Sequence, residues 1–468
     1  MEQKRLKVGI IGCGGIANGK HMPAEKRNPA AEMVAFCDII EERAQKAAKE
    51  YGVPGAKVFT DYKELLKLDL DVVHVLTPNK QHSFITVDAL EAGKHVMCEK
   101  PMAINSAEAK KMLDAAKRTG KKVLCVIKAN AYGHGAVHCG LFLEKQGADF
   151  FAVACLSEAI ELREGGITKP ILILGYTPEK YAEMLAKYDI TQAVQDERTA
   201  LEFGRYATEA GVNLNVHVKI DTGMSRTGIF AQGEEAALAA ADTIERIYNI
   251  PGITVKGMFT HFSVADTPSE DEYTAWQFKN YTTVLNALTA KGLRPEVCHA
   301  SNSAAILAHP EAHLDMVREG IILYGMYPDS EPRKGELKPV LTLKSRVAQV
   351  RDLPAGTSIS YGRTFISDKP IRTAVITAGY ADGHPRRISN ASYDMIHGKK
   401  FKQVGRICMD MHMIDVTGDD SVKVGDEVTL WGGAGMTAEE VGKVVGTINY
   451  ELTCLITPRV PRVYINED

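Results

Sequence analysis

The sequence predicts an α/β chain with an added β region: a Rossmann-like parallel sheet, then a (β/α)8 barrel, then a C-terminal β domain. Three observations lead there. A G-x-G-x-x-A run lies between an apolar strand and a helix near the N-terminus. From about residue 123, short apolar runs alternate with helical stretches. From about residue 337, β-branched runs separated by Gly/Pro turns take over. The expected domains are residues 1–122, 123–336 and 337–468.

Composition narrows the function classes. A chain of 468 residues leaves room for several domains. Its 56 basic and 59 acidic residues nearly cancel, which gives no reason to expect nucleic acid or a membrane surface as partner. No run approaches the ~18 apolar residues of a membrane helix. The opening MEQKRLKVGIIGCGGIA is broken by glycines and reads as strand and turn, not as a signal peptide. Cysteines stand at 13, 37, 98, 125, 139, 155, 298, 408 and 454, an odd number with no Cys-x-x-Cys pair. That usage fits a reducing compartment, so a cytoplasmic protein is expected.

In the first part, Leu6–Ile11 is a strand, followed by Gly12-Cys-Gly14-Gly15-Ile-Ala17 and a helix. Gly12 permits the tight turn, Gly14 lets the backbone approach a pyrophosphate, and the small Ala17 allows helix and strand to pack closely. A second strand, Met33–Cys37, ends in Asp38, whose carboxylate suits the ribose hydroxyls of NAD. Gly12, Gly14, Gly15 and Asp38 are therefore candidate NAD-binding positions. Further on stand Val72–Leu76, Thr77-Pro78-Asn79 leading to His82, and Glu99-Lys100-Pro101. With these motifs, residues 5 to about 122 resemble the N-terminal domain of the glucose–fructose oxidoreductase/inositol dehydrogenase family. The resemblance implies that Lys100 places substrate near a nicotinamide. The chain departs from that family after residue 122, where the sheet domain carrying the remaining catalytic acid and histidine is replaced.

The barrel strands are expected at Val123–Ile127, Phe150–Ala154, Ile171–Leu174, Gln192–Val194, Leu214–Val218, Val255–Phe259, Glu296–Cys298 and Met316–Val317. Polar residues fall just after them: Lys128, Lys219, His261, Ser301-Asn302-Ser303, then Arg318 and Gly320. Barrel active sites lie at the C-terminal strand ends, and phosphate sites often use the last two loops. Five strands converging in this way mark an active site.

Several motifs then carry a second resemblance. Lys128-Ala-Asn-Ala-Tyr132-Gly-His134, Lys219-Ile-Asp221 through Arg226, Thr260-His261-Phe, His299-Ala-Ser-Asn302-Ser303 and Arg318-Glu-Gly320-Ile321 occur in this order. Over about 123–465 the chain resembles the alanine racemases, enzymes that use pyridoxal 5'-phosphate (PLP). The resemblance implies that Lys128 holds PLP and acts as one catalytic base. It assigns Tyr132 and Tyr450 to the cofactor phosphate, with Asn302, Ser303, Gly320 and Ile321 completing the cradle. It places Arg318 at the pyridine nitrogen, His261 on the pyridine face and Arg226 at the substrate carboxylate. It also implies a carbamylated Lys219. An arginine gives up its proton reluctantly, so Arg318 leaves the ring nitrogen unprotonated and limits side reactions.

In the last part, strands are expected at Val340–Val350, Ile371–Thr377, Val404–Ile407, Met413–Val416 and Glu427–Leu430. The motifs around Tyr361, Tyr380, Met409 and Asp410 match the same family. Racemisation removes a proton from one face of Cα and returns one to the other, which suits two bases on opposite faces. The resemblance gives Lys128 one face and Tyr361, from a second subunit, the other; Tyr380, Met409 and Asp410 line that entrance. A homodimer with shared sites is the implied assembly, and a small amino acid the implied substrate. Tyr450 narrows the pocket towards alanine, with serine as the competing substrate.

Val123–Ile127 reads equally as the sixth Rossmann strand or the first barrel strand, so the chain looks like a hybrid joined near residue 122, with helix Ala107–Thr119 at the seam. The racemase family's own N-terminal strand and helix are expected to be missing. Two other readings remain: an NAD-dependent oxidoreductase acting on a sugar or polyol, and a non-catalytic hybrid. No metal is expected.

Overall fold

The computed structural model describes residues 5–465 except 16, 28–30, 78–80, 99–121 and 330–336. Its contacts separate two compact units, Met1–Lys122 and Val123–Asp468.

In the first unit, β1 (Leu6–Ile11), β2 (Ala31–Cys37), β3 (Lys57–Phe59), β4 (Val72–Val75) and β5 (His95–Cys98) form a parallel sheet. Their order is β3-β2-β1-β4-β5. Chain order reverses between β1 and β4, the crevice where such sheets bind nucleotides. Gly12 turns there with φ +95°, and a Cβ on it would come 2.6 Å from the backbone of Leu76 at the end of β4. Only glycine fits. A Cβ at Gly14 or Gly15 would meet nothing within 4 Å. Val8, Ile10, Met33 and Phe36 build the core on one side of the sheet, and Ile11, Ala35, Val73 and Val75 on the other.

The second unit opens with the barrel. Its strands are β6 (Lys122–Val126), β7 (Phe150–Val153), β8 (Ile171–Ile173), β9 (Ile190–Val194), β10 (Leu214–Asp221), β12 (Ile253–Phe259), β13 (Val297–His299) and β14 (Met316–Glu319). A two-residue β11 (Ile229–Phe230) pairs with the end of β10. The sheet order is β13-β12-β10-β9-β8-β7-β6-β14. Asp315 N–H donates to Cys298 O and Arg318 N–H to Ser301 O, both at 3.1 Å, which joins β14 back to β13 and closes the circle. Every expected barrel strand is present, with no end differing by more than three residues.

The seam is resolved in favour of the barrel. β6 pairs with β7 in the register Leu124↔Phe150 to Val126↔Ala152 and lies beside β14. Val123–Ile127 is buried throughout, as expected of a parallel strand covered on both faces. Among the described residues, the Rossmann-like sheet ends at β5. Helix Ala107–Thr119 and Lys100 lie outside the described residues, as does most of the Thr77-Pro78-Asn79 motif.

The C-terminal region forms a six-stranded antiparallel sheet in the order β20-β19-β22-β15-β18-β21. Here β15 is Leu343–Leu353, β18 Ile371–Ile376, β19 Tyr393–Ile396, β20 Lys399–Lys402, β21 His412–Asp415 and β22 Glu427–Trp431. A small hairpin, β16 (Ser358–Ile359) with β17 (Phe365–Ile366), carries Tyr361 at its turn. One expected strand fails: Val404–Ile407 is irregular, because Gly405 turns with φ +77° against the carbonyl of Ile359. The hairpin β19–β20 was not expected. Its second strand, Lys-Lys-Phe-Lys, buries only Phe401, so the apolar signal is one residue long. Among the described residues, no helix is long and apolar enough to cross a membrane.

Candidate active site

Lys128 leaves the end of β6 into an unusual turn. Ala129, Asn130, Ala131 and Tyr132 all have φ of 52–53°, a left-handed turn of non-glycine residues. It is held from two sides. The Glu158 carboxylate accepts from Ala129 N–H at 2.6 Å and from Ala154 N–H, at the end of β7, at 2.8 Å. The chain's last segment grips the far end: Arg462 Nε donates to Gly133 O at 3.0 Å, and the Tyr464 hydroxyl donates to His134 O at 3.0 Å. A Cβ on Gly133 would collide with the carbonyl oxygen of Thr453. The turn places Tyr132 in the interior, its ring 5.1 Å from that of Tyr324 and 6.0 Å from that of Tyr450.

Three groups predicted for one job do meet. Gly320 N–H, after β14, donates to Ser303 Oγ at 2.9 Å. A Cβ built on Gly320 would lie 3.1 Å from the Tyr132 hydroxyl and 3.3 Å from Ser303 Oγ. The two hydroxyls therefore face a space that glycine keeps open. Asn302 caps the following helix by accepting from Ala305 N–H at 3.0 Å, so its carbonyl serves the loop.

Arg318 is buried on β14 and firmly anchored. Its Nη2 donates to Thr260 O at 2.8 Å and Ala300 O at 2.7 Å, and reaches His261 Nδ1 at 3.3 Å. Nη1 lies 3.2 Å from His299 Nδ1, and His299 Nε2 lies 3.0 Å from His217 Nδ1. An arginine only donates. His299 Nδ1 must then accept, and its Nε2–H donates onward to His217. The sequence reading missed this chain: His217 alternates with core residues of β10 and looks like any buried polar group. Its ring fills the space beside Gly257, where a Cβ would come 2.6 Å from it. Glu158 and Tyr324 were missed as well.

The electrostatics are one-sided. Lys128 has its pKa lowered by burial and by the charge of Arg226, against smaller opposing effects of Glu158 and Cys454. Lys219, 5% exposed, is brought down to about 8 by burial, then by Arg226 and Arg318. Its Nζ donates to Thr227 Oγ1 at 2.5 Å. His261 is kept neutral, well below its ordinary value, by burial and the same cations. The nearby Asp221 carboxylate is committed to Gly223 N–H at 3.1 Å and Ser225 N–H at 2.9 Å. A cluster of cations with so little acid among them suits a ligand carrying phosphate and carboxylate.

Tyr361, Tyr380 and Met409 stand apart from that cluster: they are 69%, 43% and 53% exposed in the single chain. Their loops are tied together. Tyr380 N–H donates to Cys408 O at 3.1 Å and Ala381 N–H to Met409 O at 3.0 Å. Arg459 bridges Asp382 and Asp410, both at 2.8 Å. Tyr361 sits on a strained turn, with Ser360 and Gly362 at φ +64° and +69°, and the Arg406 guanidinium lies against Gly362.

In the first unit, Asp38 is 8% exposed. Its Oδ2 accepts from Cys13 N–H at 2.8 Å and its Oδ1 from Ile40 N–H at 2.9 Å. One lone pair remains on each oxygen.

Comparison with known proteins matches three family models: "Alanine racemase, N-terminal domain" over residues 103–328, "Alanine racemase, C-terminal domain" over 340–464, and "Oxidoreductase family, NAD-binding Rossmann fold" over 6–126. The first and third overlap over 103–126, so the racemase-like sequence begins ahead of residue 123 and reaches into the seam. Among relatives, the alanine racemase of Clostridium tetani (strain Massachusetts / E88) is 44% identical over 354 residues, 74% of this chain and 90% of that protein. That of Methanococcus maripaludis is 44% identical over 350 residues, 74% and 92% of the two chains. Among solved structures, the alanine racemase of Clostridium difficile 630 has a TM-score of 0.70 at 38% identity, covering 86% of this chain and 98% of its own. That of Bacillus anthracis with bound L-Ala-P has a TM-score of 0.69 at 33% identity, covering 75% and 90%.

Proposed function

This chain belongs to the alanine racemase family, and from that premise we propose how its own residues interconvert L- and D-alanine. One observation supports the reading above all: a single barrel carries Lys128, Lys219, His261, Ser303 and Arg318 at or just after the C-terminal ends of five of its strands, linked by contacts and shared charge.

The residues fit PLP. The space between Tyr132, Ser303 and Gly320 takes the phosphate, with Asn302 ordering the loop, Ile321 beside it and Tyr450 against Tyr132. Lys128 would anchor the cofactor, His261 would pack on its ring, and Arg318 would donate to its pyridine nitrogen. When bound, PLP supplies the electron sink that makes the Cα proton of alanine removable. Arg318 cannot pass a proton to the ring, which keeps the chemistry to proton exchange.

Lys128 Nζ moves the proton on one face of Cα. Its lowered pKa lets the amine be neutral, and so able to accept, nearer to neutral pH. Arg226 holds the substrate carboxylate. Tyr361 of a second copy moves the proton on the other face, with that copy's Tyr380, Met409 and Asp410 around the entrance. The exposure of these side chains in one chain supports a homodimer in which they become covered.

The test is a PLP titration followed by exchange in deuterated water. Both alanine enantiomers should gain deuterium at Cα as they interconvert, with no build-up of keto acid. Absence of exchange at saturating PLP would refute the assignment, and full activity from a demonstrated monomer would refute the shared site.

Lys219 is proposed to be carbamylated. A pKa of about 8 leaves roughly one-tenth of the amine neutral at pH 7. The neutral amine attacks CO2, forming the N–C bond and releasing one proton, and the resulting anion offsets Arg226. Labelled bicarbonate should give a carbamate carbonyl NMR signal that Lys219→Arg removes; a wild-type spectrum without it would refute the modification. The unmodified lysine carries a pH signature too. Its folded pKa lies below the unfolded 10.5, so stability should rise as pH climbs from about 8 towards 10.5.

The first unit is proposed to bind NAD: Gly12 makes the turn, Gly14 and Gly15 leave room for a pyrophosphate, and Asp38 has lone pairs for ribose. A calorimetric titration with NAD should show one site per chain, and a null titration retires this reading. The oxidoreductase alternative is less supported, since racemase-like sequence covers most of the chain.

A further inference from the structure

The β domain buries a polar cluster that racemisation does not use. His384, Asp394 and His412 are 1%, 0% and 0% exposed, and their candidate donor atoms lie within 4.8 Å of one another. They come from three places: the loop after β18, the strand β19 and the first residue of β21.

Their hydrogen bonding is incomplete. Neither ring nitrogen of His384 has a partner, and Asp394 Oδ1 has none. His412 is oriented differently: its Nδ1 donates to Ala378 O at 2.7 Å, which turns Nε2 towards Asp394 Oδ2 at 2.6 Å. A backbone carbonyl fixing one ring nitrogen so that the other presents its lone pair is the usual support for a metal-ligating histidine. A proton between His412 and Asp394 would satisfy those two atoms. It would leave His384 and Asp394 Oδ1 buried without partners, a state proteins rarely tolerate. A cation among the three would engage a ring nitrogen of His384, the Asp394 carboxylate and His412 Nε2 together, leaving fewer buried atoms without a partner.

We propose that His384, Asp394 and His412 bind one divalent transition ion of the Zn²⁺ class. Two imidazoles and a carboxylate suit a borderline ion better than Mg²⁺ or Ca²⁺, which prefer all-oxygen sites. Tetrahedral coordination by the three side chains and a water, with bonds of about 2.1 Å, sets donors about 3.4 Å apart, so loading opens the 2.6 Å Asp394–His412 contact and draws His384 inward. The ion is structural. It ties the loop bearing Tyr380 and Asp382 to the strand that follows Met409 and Asp410, and so holds both entrance loops. Only that consequence rests on the racemase reading; metal binding does not.

The test uses the full-length chain. Elemental analysis first counts any co-purified ion, which is then stripped. Co²⁺ is added as the probe. One equivalent should bind with the visible absorption of a four-coordinate nitrogen/oxygen site and no sulfur charge-transfer band. Zn²⁺ should displace it and raise the Tm. His384→Phe should abolish the Co²⁺ spectrum while PLP absorbance remains, and Asp394→Asn serves the same purpose should His384→Phe not fold. The proposal is overturned by no Co²⁺ spectrum at one equivalent, by a sulfur band, or by undiminished binding in the folded variants. A cluster held by a proton alone gives the first of these results.

Discussion

Lys128→Ala is expected to slow alanine racemisation by about 10⁴-fold or more, because one side chain is proposed for two jobs: covalent anchoring of PLP, and proton transfer at one face of Cα. The loss should come with disappearance of the lysine-bound PLP absorbance. The proposed phosphate cradle of Tyr132, Ser303 and Gly320 does not involve the amine, so PLP should still associate, reversibly. Folding should survive. Lys128 precedes the four left-handed residues, and the bonds that hold the turn come from Glu158, Arg462 and Tyr464. A variant keeping activity within about tenfold of wild type would remove Lys128 from the mechanism.

Tyr361→Phe is expected to lower racemisation by about 10²- to 10⁴-fold, the range for losing one positioned acid–base group. Its signature is asymmetric. With Lys128 intact, one enantiomer should still trade its Cα proton for solvent deuterium without inverting, while the other should stop exchanging. A nearby cation would help a phenol take part in proton transfer; the Arg406 guanidinium, packed on Gly362 next in sequence, is placed to be tested for that part. Equal loss of exchange for both enantiomers, or no loss, would deny Tyr361 a face of its own.

Much of this was legible in the sequence, and the residues show why. Barrel strands such as Ile171–Ile173 announce themselves as short apolar runs. β9 is harder, since Thr191 and Gln192 interrupt it; both are buried, and Gln192 Nε2 is satisfied by Gly175 O and Ala193 O at 2.8 Å each. β14 is masked by Arg318, a charge inside a strand that the site requires. Tyr132, Ser303 and Gly320, proposed for the phosphate, could be singled out because they lie in the loops that follow β6, β13 and β14. The groups behind them could not. His217 and Tyr324 act through partners 82 and 198 residues away in sequence, and no local pattern carries that information. The seam at Val123–Ile127 was undecidable from one strand's composition; pairing with Phe150–Ala152 decides it.

The left-handed turn after Lys128 inverts the ordinary rules of substitution. Each L-residue other than asparagine in that conformation costs about 1–2 kcal/mol, so Ala129, Ala131 and Tyr132 together store about 3–6 kcal/mol, a large share of a whole domain's stability. Alanine, the best residue for a right-handed helix, is the wrong one here by local preference, and only Asn130 suits its backbone. Glycine at the exposed Ala129 would relieve strain that alanine maintains, yet it would also free the backbone next to the lysine. Drift towards greater stability and retention of a fixed lysine therefore pull this segment in opposite directions, and its composition records which demand has prevailed.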